Sequence, residues 1–420
     1  MKFLKISVRV SVLFLFVSIP LSGEESDNSF FDLDNMLEHI SILAASDDAR
    51  VAGLEGEREA ERYIYAALIG AGLEPERQAF PIAAFKRNYS ELTLIANGEE
   101  QDIECESFLY SAGTKDLEEE LSVIYGAFGD YENIEKPDND HSCYLFKTGR
   151  YTFRTKAERA MEAGAVAAIV YNTSEKILRG TLGKPVDIPV LGINLSDGLA
   201  IRGAMESDSG SKLILKSSVI LKDAESVNLC ANIPGVIDTE KFLIVGAHYD
   251  SLDTPGANDN ASGTAMLLEL ARSASGLELP FNLRIIFFGA EELGLLGSKY
   301  YAGNMTDSRN CIGMICLDVI AEGRLVAINS RMEDFGSDFQ NFAYKAASKV
   351  VSNLMLYNSG YTDHEPFAEI GIPSIFISAR PFTTYHTDLD NIDNLNPDIL
   401  YDVGAALAAI IKAMAADFGT

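Results

Sequence analysis

Phe242-Leu243-Ile244-Val245-Gly246-Ala247-His248-Tyr249-Asp250 and, further on, Leu283-Arg284-Ile285-Ile286-Phe287-Phe288-Gly289-Ala290-Glu291-Glu292 decide the fold. Each opens with an apolar run of strand length, of the kind that central parallel strands show when helices cover both faces. Each then ends abruptly on ionisable residues. Gly263 to Ser273 and Leu293 to Ala302, which follow the two runs, read as helices. Strands alternating with helices imply an α/β sandwich.

Working outward, Ile312 to Leu317 and Ile375-Phe376-Ile377 are further strand-like runs. On the other side, apolar residues recur at three and four from Leu33 to Leu43 and from Glu57 to Ile69, predicting two amphipathic helices, the second stopped by Gly70 and Gly72. Between these helices and Val227 the pattern changes. Glu91 to Ala96, Ser122 to Ala127, Cys143 to Phe146, Val166 to Tyr171 and Ile188 to Ile193 read as strands, with a helix at Thr155 to Gly164. This stretch reads as an insertion, from near Tyr89 to near Ser226, that interrupts the α/β domain. Within it, Asp116 to Glu120 and Pro137 to Asp140 are expected to be solvated loops or helix ends.

In 420 residues, 62 Asp+Glu outnumber 34 Lys+Arg, a formal charge of −28, and 47% of the chain is hydrophobic. That hydrophobic share excludes a disordered chain, and the length suggests two or three domains at roughly 100 to 200 residues each. The acidic balance repels phosphate backbones and anionic lipid, so nucleic acid is excluded as a partner class. Lys2, Lys5 and Arg9 precede the apolar stretch Val10 to Ile19, and Leu21-Ser22-Gly23 then gives way to Glu24. Residues 1–23 therefore read as a signal peptide, and the mature protein is expected outside the cytoplasm, in the periplasm or the medium. Beyond it no uninterrupted apolar run approaches the ~20 residues of a membrane span, and no stable membrane insertion is expected. Cys105, Cys143, Cys230, Cys311 and Cys316 are too few for a disulfide scaffold; they are expected mostly to be buried small residues, with one bridge possible.

Five histidines divide by their neighbours. His39 lies in the first amphipathic helix and His141 follows Asp138-Asn139-Asp140, and both read as structural or surface residues. His248 ends a strand, and Asp250 shares its side of an extended chain, placed to accept the second imidazole N–H. Asp259 stands in the Gly-rich stretch Pro255 to Gly263, where Ser262 is available as the helix cap. Glu291 and Glu292 emerge from a buried strand, Asp318 follows Leu317, and Tyr385-His386-Thr387 comes after Ile375 to Ile377. Acids and histidines at successive strand ends suit a pair of divalent ions, with one carboxylate left over as a base.

His248-Tyr249-Asp250-Ser251, Gly256 to Gly263, Gly289 to Ser298, Leu317-Asp318 and Tyr385-His386-Thr387 resemble, in order and spacing, the co-catalytic zinc aminopeptidases of metallopeptidase family twenty-eight. Thr155 to Ala160, Gly164 to Val170 and Ile188-Pro189-Val190 resemble a protease-associated domain more loosely. The resemblance implies a mixed β-sheet sandwiched by helices, with a β-rich α/β protease-associated domain inserted at residues 90–225 between catalytic segments 24–89 and 226–420. It implies two Zn²⁺ per chain: His248 and Asp318 on one, Glu292 and His386 on the other, Asp259 bridging. Glu291 would be the general base toward a zinc-activated water, Tyr385 an oxyanion donor and Asp250 the orienter of His248. Peptide or protein amino termini would be the substrate. Cys316-Leu317-Asp318-Val319 departs from the usual Asn-Leu-Asp-Met context. Thr362 to Phe367 resembles a cleft-side Ser-Asp-His segment, in which Asp363 and His364 are read equally as structural or as substrate-contacting.

Three other readings share the scaffold. Glutaminyl cyclases depend on pocket tryptophans, and this chain has none. Carboxypeptidases or dipeptidases would need basic residues for a terminal carboxylate. A receptor-like binding module would have lost the ligands that are intact here.

Overall fold

Alternate residues of the apolar runs go to opposite faces of one sheet, and both faces are covered. The computed structural model describes residues 31–418 apart from 46–48, 115–117, 209, 274, 275, 277 and 359. The segment read as a signal peptide lies outside the described residues. In chain order the N-terminal part carries α1 (Leu33–Ala44), α2 (Glu55–Gly70), β1 (Glu76–Ala96), β2 (Glu99–Ile103), β3 (Cys105–Ser107), β4 (Glu119–Ala127) and β5 (Ser142–Lys147). Then come α3 (Phe153–Ala163), β6 (Ala167–Tyr171), β7 (Val190–Ile193), α4 (Leu195–Ser207) and β8 (Lys212–Ile233). The remainder supplies β9 (Phe242–His248), α5 (Ser262–Ser273), β10 (Asn282–Phe288), α6 (Leu296–Gly303), β11 (Cys311–Leu317) and β12 (Leu325–Asn329). It closes with α7 (Asp338–Ala347), β13 (Leu354–Tyr357), α8 (Glu365–Glu369), β14 (Ser374–Arg380) and α9 (Pro397–Asp417).

Four parallel strands, in the order β14-β11-β9-β10, form the centre, flanked by antiparallel β12 and β8, so the sheet is mixed. Leu243, Val245, Ala247, Leu283, Ile285, Phe287, Ile315, Leu317, Ile375 and Ile377 join one core beneath α1, α2, α5, α7 and α9. Ile244, Ile286, Phe288, Met314, Cys316 and Phe376 point the other way, against Tyr301 of α6 and Phe367 of α8. This two-sided burial is the physical reason those strands read as apolar runs rather than as alternation. Helix α9 is apolar enough to span a membrane by composition, but Val403, Leu407, Ile410 and Ile411 lie in the main core.

Helix ends follow local chemistry. Asp32 caps α1, and Thr152 caps α3, which therefore begins two residues before Thr155 and stops at Gly164 with φ 97°. Asp116 lies outside the described residues, but Glu119 and Glu120, expected in a loop or helix end, open strand β4 instead. They pair with Leu215 and Ile214 of β8, and Glu120 meets Lys212. The longest elements are β1 and β8, an antiparallel ribbon joined from Glu76↔Cys230 to Ile95↔Lys212 with an irregularity at Arg87/Tyr89. The ribbon runs from the central sheet into β4-β5-β6-β7, a second, mostly parallel sheet with its own core. All five cysteines are unpaired: Cys143, Cys230 and Cys316 are buried, Cys105 and Cys311 half-buried, and the possible bridge is absent.

Candidate metal centre

The chain leaves β9, crosses to β10 on one side, then passes to β11 on the other side of β9. Such a reversal opens a crevice at the carboxyl ends of the strands. His248 is the last residue of β9, Asp318 follows β11, Glu291 and Glu292 follow β10, and His386 follows β14. The structure brings these together with Asp259, from the loop between β9 and α5.

His248 Nε2 lies 3.2 Å from Asp259 Oδ1 and 3.3 Å from Asp318 Oδ1. His386 Nε2 lies 3.1 Å from Asp259 Oδ2 and 3.2 Å from Glu292 Oε2. Asp259 thus turns one oxygen to each histidine. Two groups capable of holding a metal share it: His248, Asp259 and Asp318, and Asp259, Glu292 and His386. The fit to a cation can be tested on the donors themselves. Asp259 Oδ2, Glu292 Oε1 and His386 Nε2 are buried without a hydrogen-bond partner among the described residues, although acceptors and ring nitrogen converge. Burial and the nearby Asp259 carboxylate push Glu292 up to about 7, and burial together with Glu292, Asp363 and Asp318 raises Glu291 well above the carboxylate range. Orphaned, mutually repelling carboxylates facing imidazole nitrogens fit divalent cations.

Asp250 differs from the expectation in detail. The imidazole Nδ1 is 3.1 Å from the Asp250 carbonyl oxygen and 3.6 Å from its carboxylate. That carboxylate accepts the backbone N–H groups of Glu291 at 3.0 Å and Glu292 at 3.2 Å. One residue therefore holds both the first histidine and the Glu291-Glu292 turn. The helix cap also differs: Asn260 Oδ1, not Ser262, accepts the Gly263 N–H at 2.9 Å, while Ser262 Oγ donates to Asn258 O. Asp259 is left free of capping, as its candidate role requires. Gly256 has φ +61°, and a Cβ there would stand 2.4 Å from Asp259 O.

Tyr385 is 42% exposed, and its ring stacks on His386 with centroids 3.6 Å apart. His386 itself has φ +59°, a left-handed conformation uncommon outside glycine. Asp363 and His364 are fully buried behind the site, with no hydrogen-bond partner among the described residues for either carboxylate oxygen or ring nitrogen. His39 Nδ1 meets Tyr63 Oη at 2.7 Å, and the side chain of His141 is 74% exposed.

Three residues of the site carried no signal in the sequence. Arg50, 2% exposed, donates to the carbonyls of Leu43, Tyr249, Pro255 and Gly256 at 2.8 Å each, welding the loop of Asp259 to the end of β9. Asp390 accepts the N–H groups of Asn258 and Asp259, and Glu322 accepts those of Thr383 and Thr384. All three act on backbone, which no side-chain motif records. A cavity of about 640 Å³ opens over Glu292 and His386, lined also by Arg87, Glu106, Arg179, Asp253 and Asp388.

Comparison with known proteins identifies the family. Residues 228–411 match the family described as Peptidase family M28, and residues 120–201 match the PA domain. Aminopeptidase YwaD of Bacillus subtilis is 31% identical, over 94% of this chain and 87% of its own. The solved aminopeptidase from Aneurinibacillus sp. strain AM-1 superposes with a TM-score of 0.80 at 29% identity, covering 92% of this chain and 95% of that one. BSAP, described as a zinc aminopeptidase from Bacillus subtilis, gives 0.71 at 28% identity over 91% and 94%. A buried histidine–carboxylate cluster at the carboxyl ends of a parallel sheet, carried on a chain alike over nearly its whole length, places this protein in peptidase family M28.

Proposed function

We propose that the protein is a dizinc aminopeptidase that removes residues from the amino termini of peptides. His248 and Asp318 would hold one ion, Glu292 and His386 the other, and Asp259 both. The observation that carries this reading is that Asp259 addresses a different histidine with each carboxylate oxygen. When bound, two zinc ions supply Lewis acidity at the scissile carbonyl and lower the pKa of water.

The remaining work belongs to the chain. Glu291 takes the proton of the attacking water on its carboxylate and returns it to the leaving amine, so the proton count closes over one turnover. Its backbone N–H is pinned by Asp250, which keeps base and ligand in one turn. The Tyr385 phenol donates to the oxyanion of the tetrahedral intermediate. A bound zinc ion would also supply a ligand position for a free α-amine, which favours cleavage at an amino terminus. A carboxypeptidase or dipeptidase would instead need a free cation for a terminal carboxylate. Of the two arginines lining the cavity, Arg87 already faces Glu106 and Asp253, and Arg179 faces Glu106.

In this proposal residues 24–89 and 226–420 are the catalytic unit, and 90–225 form the inserted domain that covers the cleft and limits entry to peptides. Residues 1–23 direct export to the periplasm or medium. The test is hydrolysis of aminoacyl chromogenic amides by the mature protein, before and after chelation and zinc restoration. Chelator-sensitive, zinc-restored cleavage is expected. Two bound zinc ions without cleavage would move the reading to a carboxypeptidase or dipeptidase, and a protein that takes up no zinc would return it to a binding module.

A further inference from the structure

His386 stands on a segment with no regular secondary structure, yet both of its flanks are anchored by buried carboxylates. Upstream, Glu322 is 8% exposed and each of its oxygens accepts two hydrogen bonds. Oε1 takes Thr383 N at 2.6 Å and Thr383 Oγ1 at 2.7 Å; Oε2 takes Thr384 N at 3.3 Å and Thr384 Oγ1 at 2.7 Å. Those threonines immediately precede Tyr385 and His386. Downstream, Asp390 is 1% exposed and reaches back to a different loop. Its carboxylate takes Asn258 N at 2.6 Å and Asp259 N at 3.0 Å, and its carbonyl accepts Ala257 N at 3.1 Å.

The two anchors have different consequences. Glu322 belongs to the segment that leaves Asp318, so its four bonds fix the Tyr385-His386 turn against the end of β11 and maintain the left-handed backbone of His386. Asp390 is on the His386 segment itself and fixes the loop of Asp259. Burying a carboxylate is costly unless its oxygens are satisfied, and bonds to an ionised acceptor exceed ordinary ones in strength. Mere packing would be served more cheaply by an apolar residue at either place.

We propose that Glu322 and Asp390 are positioning residues with separate tasks: Glu322 sets where His386 stands opposite Glu292, and Asp390 holds Asp259 where it can serve both histidines. The inference rests on the metal centre proposed above. Loss of Glu322 should therefore damage one of the two zinc sites, and loss of Asp390 should damage both.

The test uses the full mature chain, stripped of metal and titrated with zinc against a chromophoric chelator. The variants are Glu322→Ala, Glu322→Gln, Asp390→Ala and Asp390→Asn. Wild type should take up two zinc ions. Glu322→Ala should keep one at wild-type affinity and lose ~10–100-fold at the other, the usual cost of removing an outer partner of a ligand. Glu322→Gln, which keeps an acceptor for one threonine, should recover part of that loss. Asp390→Asn should weaken both ions. Two wild-type affinities in the Glu322 variants, or an equal loss at both sites there, would overturn the inference. Amide hydrogen exchange on the same metal-free proteins reads the anchors without zinc. Exchange should quicken at Thr383 and Thr384 in the Glu322 variants and at Asn258 and Asp259 in the Asp390 variants, and uniform or unchanged exchange would refute it. A wild type that binds no zinc defeats the proposed function, and the exchange pattern then decides this inference alone.

Discussion

Glu291 is the residue on which the proposed chemistry turns, because it is adjacent to a ligand without being one in this reading. Glu291→Ala should therefore take up zinc like wild type while kcat falls by ~10²–10⁴, the usual contribution of a general base. Zinc content and initial rates on a chromogenic amide check this, and wild-type rates would remove Glu291 from the role. His364 carries a second prediction. It is fully buried, neither ring nitrogen has a hydrogen-bond partner among the described residues, and burial lowers its pKa from 6.5 to about 3. Between those values the unfolded chain binds a proton that the folded chain refuses. The stability that neutral His364 permits is present above pH 6.5 and is lost as pH falls toward about 3, by about 1.4 kcal/mol per pH unit. His364→Phe, which keeps a ring against Phe376, should abolish this slope, so that between about pH 6.5 and pH 5 wild type loses ~2 kcal/mol more than the variant in urea denaturation. Parallel losses would show that His364 does not control acid stability. The ionisable types at this scale were legible because His248, Asp259, Glu291 and His386 interrupt or follow apolar runs. The partner of the Asp250 carboxylate was not legible, because backbone N–H groups leave no mark on sequence.

At the scale of elements, strand ends and the turns after them decide the geometry. Gly289, just past β10, and Gly297, in the first turn of α6, pack against one another. A Cβ on Gly297 would stand 2.3 Å from Gly289 O and 2.4 Å from Asn228 Oδ1. Gly297→Ala should cost ~1–3 kcal/mol by overpacking, read as a lower urea midpoint, and a neutral effect would mean that α6 shifts freely. The central strands were legible because burial on both faces leaves only apolar residues to show. The ribbon of β1 and β8 was visible only at its Glu91 to Ala96 end. Its half-buried middle, with Lys86, Arg87 and Asn88, mixes polar and apolar residues without strict alternation, and its register depends on a partner strand far along the chain.

For the whole molecule, the acidic charge and the unsatisfied donors make metal and fold interdependent. A ligand that binds only the folded chain stabilises it by mass action, about 2.7 kcal/mol per site at a hundredfold excess over Kd. Zinc should therefore raise Tm of the stripped protein and a chelator should reverse the rise, as calorimetry on the same sample would record. An unchanged Tm would mean that zinc does not bind the native cluster. The inserted domain acts at this scale too. Arg179 donates to the His386 carbonyl at 3.3 Å and Tyr110 to Leu293 O at 2.9 Å, so its wall of the cavity is held against the turns that carry His386 and follow Glu292. By itself the sequence determined the α/β class, the two-part organisation and the residues able to bind metal, because burial and ionisable chemistry are properties of residue types at local spacing. Tertiary structure alone decided that the Asp250 carboxylate takes the N–H groups of Glu291 and Glu292, that Asn260 caps α5, and that Arg50, Glu322 and Asp390 anchor the loops. Those contacts join backbone and side chains far apart in the chain, and their geometry exists only once the strand ends have converged.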